Sequence, residues 1–333
     1  MKSFKKTPFS RRNFLKSIGT ATAVVGLEAC AKILNPNSTA SVPTIFQALT
    51  NTPTLPPTQT PTVTNTPEPT LSPLEQAIQS QGVAQRIPAI EYHGLLFYME
   101  GVGQMTPEWF EDQMRWLSEN NFHAVTNNEL NGYLHGSTLL PAKSVILTFD
   151  WGSSISNQVD TQLAPILQKY GMHGLGFIQA EDRFQNDVAC PQDACWKHYQ
   201  NWVDSGVIDF GSHTIHHYYL SQEPYDVIIS ELADSKKRIE DNLGVSVDSL
   251  AWPYEDIPSK WADVLTETGY RSAFGGWSRS LSECQAHPHD PLWGNLPRLL
   301  PYSWPGDYPK LTSRTPGLTF PEMVMANITP PKS

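Results

Sequence analysis

Charge is scarce in this 333-residue chain, with Asp, Glu, Lys and Arg at only 17% of residues. Basic residues are the scarcer sign: 23 Lys and Arg against 33 Asp and Glu, with six of the 23 in the first 29 residues. Beyond that point 17 basic residues face 32 acidic ones, a net charge of −15. A body this acidic argues against nucleic acid and anionic membrane surfaces as partners. Cysteine is nearly missing, at four residues, and no C-x-x-C pair occurs, so a thiolate metal site is not expected. No G-x-G-x-x-G loop supports a dinucleotide role. The apolar stretch near the start, Ile18 to Leu27, falls short of the roughly 20 residues a spanning helix needs. What the chain has in quantity is proline, 28 residues, and aromatic side chains, 11%. The ten Trp suit sugar stacking and core packing alike, so their number decides nothing.

The first segment reads as an address. Lys2, Lys5 and Lys6 lead into Ser10-Arg11-Arg12-Asn13-Phe14-Leu15-Lys16, which resembles the twin-arginine export signal. Leu27-Glu28-Ala29-Cys30 resembles a lipoprotein box, with Cys30 as the lipidated residue and Glu28 a poor fit; a cleaved signal with an incidental Cys is the alternative. Residues 1–30 are therefore expected to direct export, and the protein to sit on the cell surface or a periplasm-facing membrane, held by a lipid. Residues 31–85 hold a Thr/Pro-rich linker that cannot bury a core; at about 3.1 Å per residue its extended prolines reach on the order of 100 Å. An oxidising compartment leaves room for one disulfide among Cys190, Cys195 and Cys284.

From about residue 86 the pattern alternates between strands and helices. Ile87 to Tyr92 is a strand, and Thr106-Pro107-Glu108 opens a helix with an N-cap, a first-turn proline and an acid. Thr126-Asn-Asn-Glu129 is a capping box. Ser144-Val-Ile-Leu-Thr-Phe149 is an apolar run ending in Asp150, as expected of a parallel strand covered on both faces. A helix over 158–170 and strands at 174–179 and 207–211 follow. Pro224 opens the longest helix, with Ile228, Leu232, Ile239 and Leu243 at helical intervals and Gly244 as its stop. Strands near 247–252, 270–274 and 296–300 complete the series. Seven or eight βα-type units in some 215 residues point to an α/β fold, a distorted and incomplete (β/α) barrel over 86–303; an open doubly wound sheet is second. The Pro-rich tail, 304–333, is expected to wrap the surface.

Three polar clusters fall at predicted strand ends: Asp150; His213 with His216 and His217; and Pro253-Tyr254. Strand carboxyl ends face one rim of such a barrel, where chemistry gathers. His213 and His217, four apart, present two imidazoles on one face of a helical turn, a zinc-site spacing. Glu91 and His93, two apart on a strand, share a face.

These motifs resemble the polysaccharide deacetylase family, carbohydrate esterase family four. The Thr-Phe-Asp-Asp-Gly motif reads Thr148-Phe149-Asp150-Trp151-Gly152, His-Ser/Thr-x-x-His reads His213-Thr214-Ile215-His216-His217, and a motif ending in Pro-Tyr matches Ala251-Trp252-Pro253-Tyr254. The resemblance implies a distorted barrel and hydrolysis of acetyl groups on cell-envelope polysaccharide, such as peptidoglycan or a chitin-like glycan. It implies a divalent ion, zinc foremost, held by His213 and His217. It also implies Asp150 as general base and the Tyr254 backbone N–H at the oxyanion.

Two departures stand out. Trp151 occupies the place of a metal-ligand Asp, and indole has no lone pair to give. Three repairs are open: Asp150 itself turning to the ion, Glu91 with His93 beside it, or Glu255 or Asp256 after Tyr254. Motif three lacks an Arg at Ala251, and Arg298 is the candidate to orient Asp150. His287 or His289 is offered as the leaving-group acid. A catalytically degenerate relative that binds glycan is the competing reading, and a structural lipoprotein without a ligand the lesser one.

Overall fold

In the computed structural model, the described residues are 71–95, 97–99, 101–151, 162–180, 192–277, 285–291, 293–312 and 317–328. The export signal, Cys30, the Thr/Pro-rich stretch, Cys190 and Cys284 lie outside them, as do residues 158–161 of the expected helix.

The strands are β1 Ile87–Tyr92, β2 Phe97–Met99, β3 Gly103–Met105, β4 His123–Ala124, β5 Ser144–Trp151, β6 Gly174–Ile178, β7 Ile208–Ser212, β8 Ser249–Ala251, β9 Ser272–Trp277, β10 Gln285–Ala286 and β11 Leu296–Arg298. The α-helices are α1 Pro73–Gln81, α2 Pro107–Glu119, α3 Asn127–Leu134, α4 Ala164–Tyr170, α5 Gln192–Ser205, α6 Tyr225–Leu243, α7 Trp261–Thr268 and α8 Phe320–Ile328. The sheet runs β10-β1-β5-β6-β7-β8-β9-β11. Every neighbour from β1 to β11 pairs in parallel, while β10 is antiparallel to the start of β1. Just past β11, Leu299 bridges back to β1: the Glu91 N–H donates to the Leu299 carbonyl and the Leu299 N–H to the Ala89 carbonyl, both 2.8 Å. The parallel sheet is thus a nearly closed barrel with helices around it, as the alternation predicts, and the open-sheet alternative is set aside.

All eight residues of β5 are buried, because neither strand face meets water. Side chains alternate between two compartments. Val145, Leu147, Phe149 and Trp151 join the layer between the sheet and the helices. Ile146 joins the barrel interior with Ile87, Ala89, Leu175, Phe177 and Phe274. Leu130, Tyr133 and Leu134 of α3 pack into the same interior cluster. The α3 start is fixed by a capping box between Thr126 and Glu129, as its sequence predicts. The interior is apolar at the amino ends of the strands. Toward their carboxyl ends the same inward positions become Glu91, Thr148, Asp150 and Arg298, all buried.

Three elements differ from expectation. β2 and β3 form a small antiparallel hairpin that strand patterning does not announce. Within the expected linker, residues 73–81 form α1, whose Ser72–Glu75 capping box is a purely local signal. The Pro-rich tail does not merely wrap the surface: it carries α8, with Phe320, Met323 and Val324 buried in the outer layer. No helix among the described residues is long and apolar enough to cross a membrane.

Candidate active site

Asp150 ends the inward row of β5 and is 4% exposed. Arg298, from β11 on the far side of β1, grips it with both nitrogens: Nη1 donates to Oδ1 at 2.7 Å and Nη2 to Oδ2 at 2.9 Å. The guanidinium also donates to Thr148 Oγ1 and the Gly275 carbonyl, each 3.3 Å, and Nη2 stands 3.4 Å from Glu91 Oε1. Burying a guanidinium is costly unless its donors are satisfied in good geometry, and here one cation answers two buried carboxylates. Burial pushes the Asp150 pKa up, but the charge and hydrogen bonds of Arg298, helped by His213 and His93, hold it well below the usual carboxylate range. A carboxylate fixed this way stays anionic and accepts a proton poorly.

The His pair comes from the loop after β7. The imidazoles meet, with Nε2 of His213 and Nε2 of His217 3.0 Å apart, but no helical turn brings them together. The loop folds back through two left-handed residues, Thr214 at φ 65° and His217 at φ 57°, a costly conformation for a β-branched Thr. Thr214 Oγ1 accepts the His217 N–H at 3.2 Å. Burial lowers the pKa of His213, and burial with the neighbouring His213 lowers that of His217 to about 4, so both imidazoles are neutral at pH 7. His213 Nδ1 lies 2.8 Å from the Ala251 carbonyl. A neutral ring must donate that hydrogen bond, which leaves Nε2 with its lone pair facing the site.

This donor set fits a divalent ion. Two nitrogens on one tetrahedral zinc, each about 2.0–2.1 Å from it, stand roughly 3.3 Å apart, close to the spacing found. Asp150 Oδ2 is 4.0 Å from His213 Nε2, the nearest carboxylate to the pair among the described contacts. Ligand atoms of Glu91, His93 and Asp150 also lie within 4.8 Å of one another, so the acidic and imidazole groups form one continuous cluster.

His93 enters this cluster from just past β1. Tyr302 fixes it: the Tyr302 hydroxyl accepts the His93 backbone N–H at 2.9 Å and lies 3.1 Å from Nδ1. Nε2 stands 3.9 Å from Glu91 Oε1. Burial lowers the His93 pKa to about 4, with Asp150 opposing. The two-residue spacing from Glu91 marks this histidine; what sequence does not reveal is that Tyr302, 209 residues away, braces it. Tyr254 stands at the rim, 54% exposed, with its backbone left-handed at φ 54°. The ring stacks on Tyr219 at 4.1 Å and meets the His217 ring edge-on at 4.3 Å.

Other expected positions lie elsewhere. Trp151 points away from Asp150, as strand alternation requires, into a layer with Phe149, Trp202 and Phe210 at centroid distances of 5.7, 5.1 and 6.3 Å. The position faces away from Asp150 and the His pair. Asp256 is occupied with Ser221, accepting its N–H at 2.6 Å and its hydroxyl at 2.7 Å. Glu255 is felt at Arg298 behind Asp150 and Glu91. His287 Nδ1 lies 3.2 Å from the Gln85 carbonyl, before the start of β1, and the His289 N–H donates to the Leu134 carbonyl. Both belong to the opposite end of the barrel, which removes them as the leaving-group acid.

The family model described as polysaccharide deacetylase matches residues 139–273. The Bacillus subtilis (strain 168) protein YxkH is 25% identical over 187 residues, covering 56% of this chain and 63% of its own length. The poly-β-1,6-N-acetyl-D-glucosamine N-deacetylase of Staphylococcus aureus (strain MRSA252) is 25% identical over 204 residues, 57% of this chain and 65% of the relative. This chain thus spans a little under two thirds of the curated relatives it matches. Among solved structures, the Streptococcus pyogenes deacetylase PplD in complex with acetate superposes with a TM-score of 0.59 at 20% identity, over 74% of this chain and 100% of that one. IcaB from Ammonifex degensii gives 0.54 at 23%, over 66% and 94%. The matched segment holds Asp150, His213, His217 and Tyr254, and the barrel is the fold the chain shares with these solved structures.

Proposed function

We propose that the protein is a metal-dependent hydrolase that removes acetyl groups from N-acetylated glucosamine polymers of the cell envelope. The observation that carries this reading is the convergence of His213, His217 and Asp150 at the carboxyl ends of β5 and β7. His213 and His217 would hold the ion through Nε2. Asp150 would be the anionic third donor, a role its low basicity suits better than that of proton acceptor. Two imidazoles, one carboxylate and an open position form a known catalytic zinc set. A divalent ion bound there supplies Lewis-acid polarisation of a carbonyl and lowers the pKa of water.

The chain's own groups do the rest. Arg298 fixes the Asp150 carboxylate in one orientation. His93, neutral at pH 7 and partly exposed, takes a proton from the attacking water and returns it to the leaving amine, while Tyr302 holds its ring in place. The exposed Tyr254 would offer its ring to a pyranose beside the His pair, and its backbone N–H would serve the oxyanion. Poly-β-1,6-N-acetyl-D-glucosamine, named for the staphylococcal relative, is the first substrate to test, followed by peptidoglycan and chitin oligosaccharides. Export through the Arg11-Arg12 signal and a lipid at Cys30, on a Thr/Pro-rich tether, would deliver the site to such a polymer.

The test is acetate release from these three glycans with zinc or cobalt added, and again with chelator. The expected result is release that needs the ion and that His93→Ala lowers at least a hundredfold. Glycan binding without acetate release under any ion would contradict the hydrolase and mark a binding protein.

A further inference from the structure

The loop that brings the two imidazoles together is held from outside the site by one buried acid that the hydrolytic reading does not use. Glu231 lies on the inner face of α6 and is 4% exposed. Its Oε2 accepts two successive backbone N–H groups, from Ile215 at 3.0 Å and His216 at 2.9 Å. Its Oε1 meets His216 Nδ1 at 2.5 Å. Those two amides lie between the left-handed residues Thr214 and His217. One turn along the same helix face, Ser235 completes the clamp: the Thr214 N–H donates to Ser212 Oγ at 3.0 Å, Ser212 Oγ meets Ser235 Oγ at 2.6 Å, and Ser235 donates to the Leu232 carbonyl at 3.0 Å.

A buried carboxylate is expensive, and its position is informative when its partners are all in one loop. Thr214 cannot relax toward an ordinary backbone conformation without withdrawing the 215 and 216 amides from Glu231. The same relaxation would swing His217 away from His213. We propose that Glu231 is a positioning residue: through the Ile215 and His216 amides it locks the 213–217 loop in the strained form that turns His217 Nε2 onto His213 Nε2. It thereby sets how tightly the pair takes a divalent ion. The proposal rests on the reading of this pair as an ion site. Partners of this kind, one bond behind the ligands, typically change affinity by about 10–100-fold when removed.

The experiment uses the full chain and cobalt(II) alone, with affinity read by visible absorption. Amide hydrogen exchange at Ile215 and His216 is followed in the chelator-treated protein. Glu231→Ala should weaken cobalt binding at least tenfold and strip protection from both amides. Glu231→Gln keeps a carbonyl for those amides and should stay within about threefold of the parent. Asp241→Asn, on the exposed side of α6 with Lys237, should change neither readout. Unchanged affinity in Glu231→Ala overturns the proposal, whether or not protection is lost, and so does weakened binding with full protection. Failure of the parent to bind cobalt would instead sink the ion-site reading. In that case exchange, with the 15N shifts of the two imidazoles, decides the positioning claim: both changing in Glu231→Ala supports it, and either staying as in the parent overturns it.

Discussion

At position 150 a carboxylate meets a guanidinium through both oxygens, and at position 151 an indole lies on the opposite face of the same strand. The first contact holds the Asp150 pKa well below the usual carboxylate range; the second turns Trp151 away from Asp150. In family terms Trp151 looks like the loss of a ligand, but its ring is packed among Phe149, Trp202 and Phe210, and Nε1 is buried without a hydrogen-bond partner among the described residues. Trp151→Asp therefore does not restore a ligand. It empties a large aromatic site and leaves a carboxylate in an apolar layer, at an expected cost of about 3–5 kcal/mol. Urea unfolding should show that loss, with cobalt affinity no better than the parent's. A stable variant with tighter cobalt binding would mean that the strand end turns toward the site.

Between elements, the aromatic layer explains an oddity of β6. Gly174 and Gly176 sit in a strand, where glycine is ordinarily a weakness. A Cβ at Gly176 would lie 1.9 Å from Trp151 Cζ3, and one at Gly174 would lie 2.7 Å from Phe149 Cε2. The glycines of β6 leave room for the aromatics of β5. Gly176→Ala should destabilise by about 1–3 kcal/mol through overpacking, and Trp151→Phe, with its smaller ring, should recover part of that loss; additive effects of the two changes would contradict the contact. The β5 run, the helix caps and the strand ends were legible from sequence because each depends on residues a few positions apart. Asp150, His213 and His217 were legible for the same reason. The grip of Arg298 is expected only because the third motif lacks its Arg; the brace of Tyr302 on His93 depends on the barrel closing and the clamp of Glu231 on α6 packing back over the loop after β7, which no local spacing encodes. The backbone of the His loop is not legible from sequence, because an i,i+4 spacing fits a helical turn as well as it fits a folded-back loop. α8 is hidden in the sequence because the prolines around it mask a short amphipathic stretch.

For the molecule as a whole, one arrangement repeats: an apolar interior at the amino ends of the strands, and at the carboxyl ends a sequence of Glu91, Asp150, Arg298, His93, His213 and His217 linked by contacts of 4.0 Å or less. Charge is scarce in the chain, and much of what is buried is collected here. If this end is built around an ion, its two imidazoles and Asp150 must act as one set. The most direct measurement is calorimetric titration of the chelator-treated full chain with zinc. The expected result is one ion per chain, abolished by His217→Ala and at least tenfold weaker in Asp150→Asn, with circular dichroism confirming that both variants fold. A parent protein that takes up no zinc, or an Asp150→Asn variant that binds as tightly as the parent, would contradict the account.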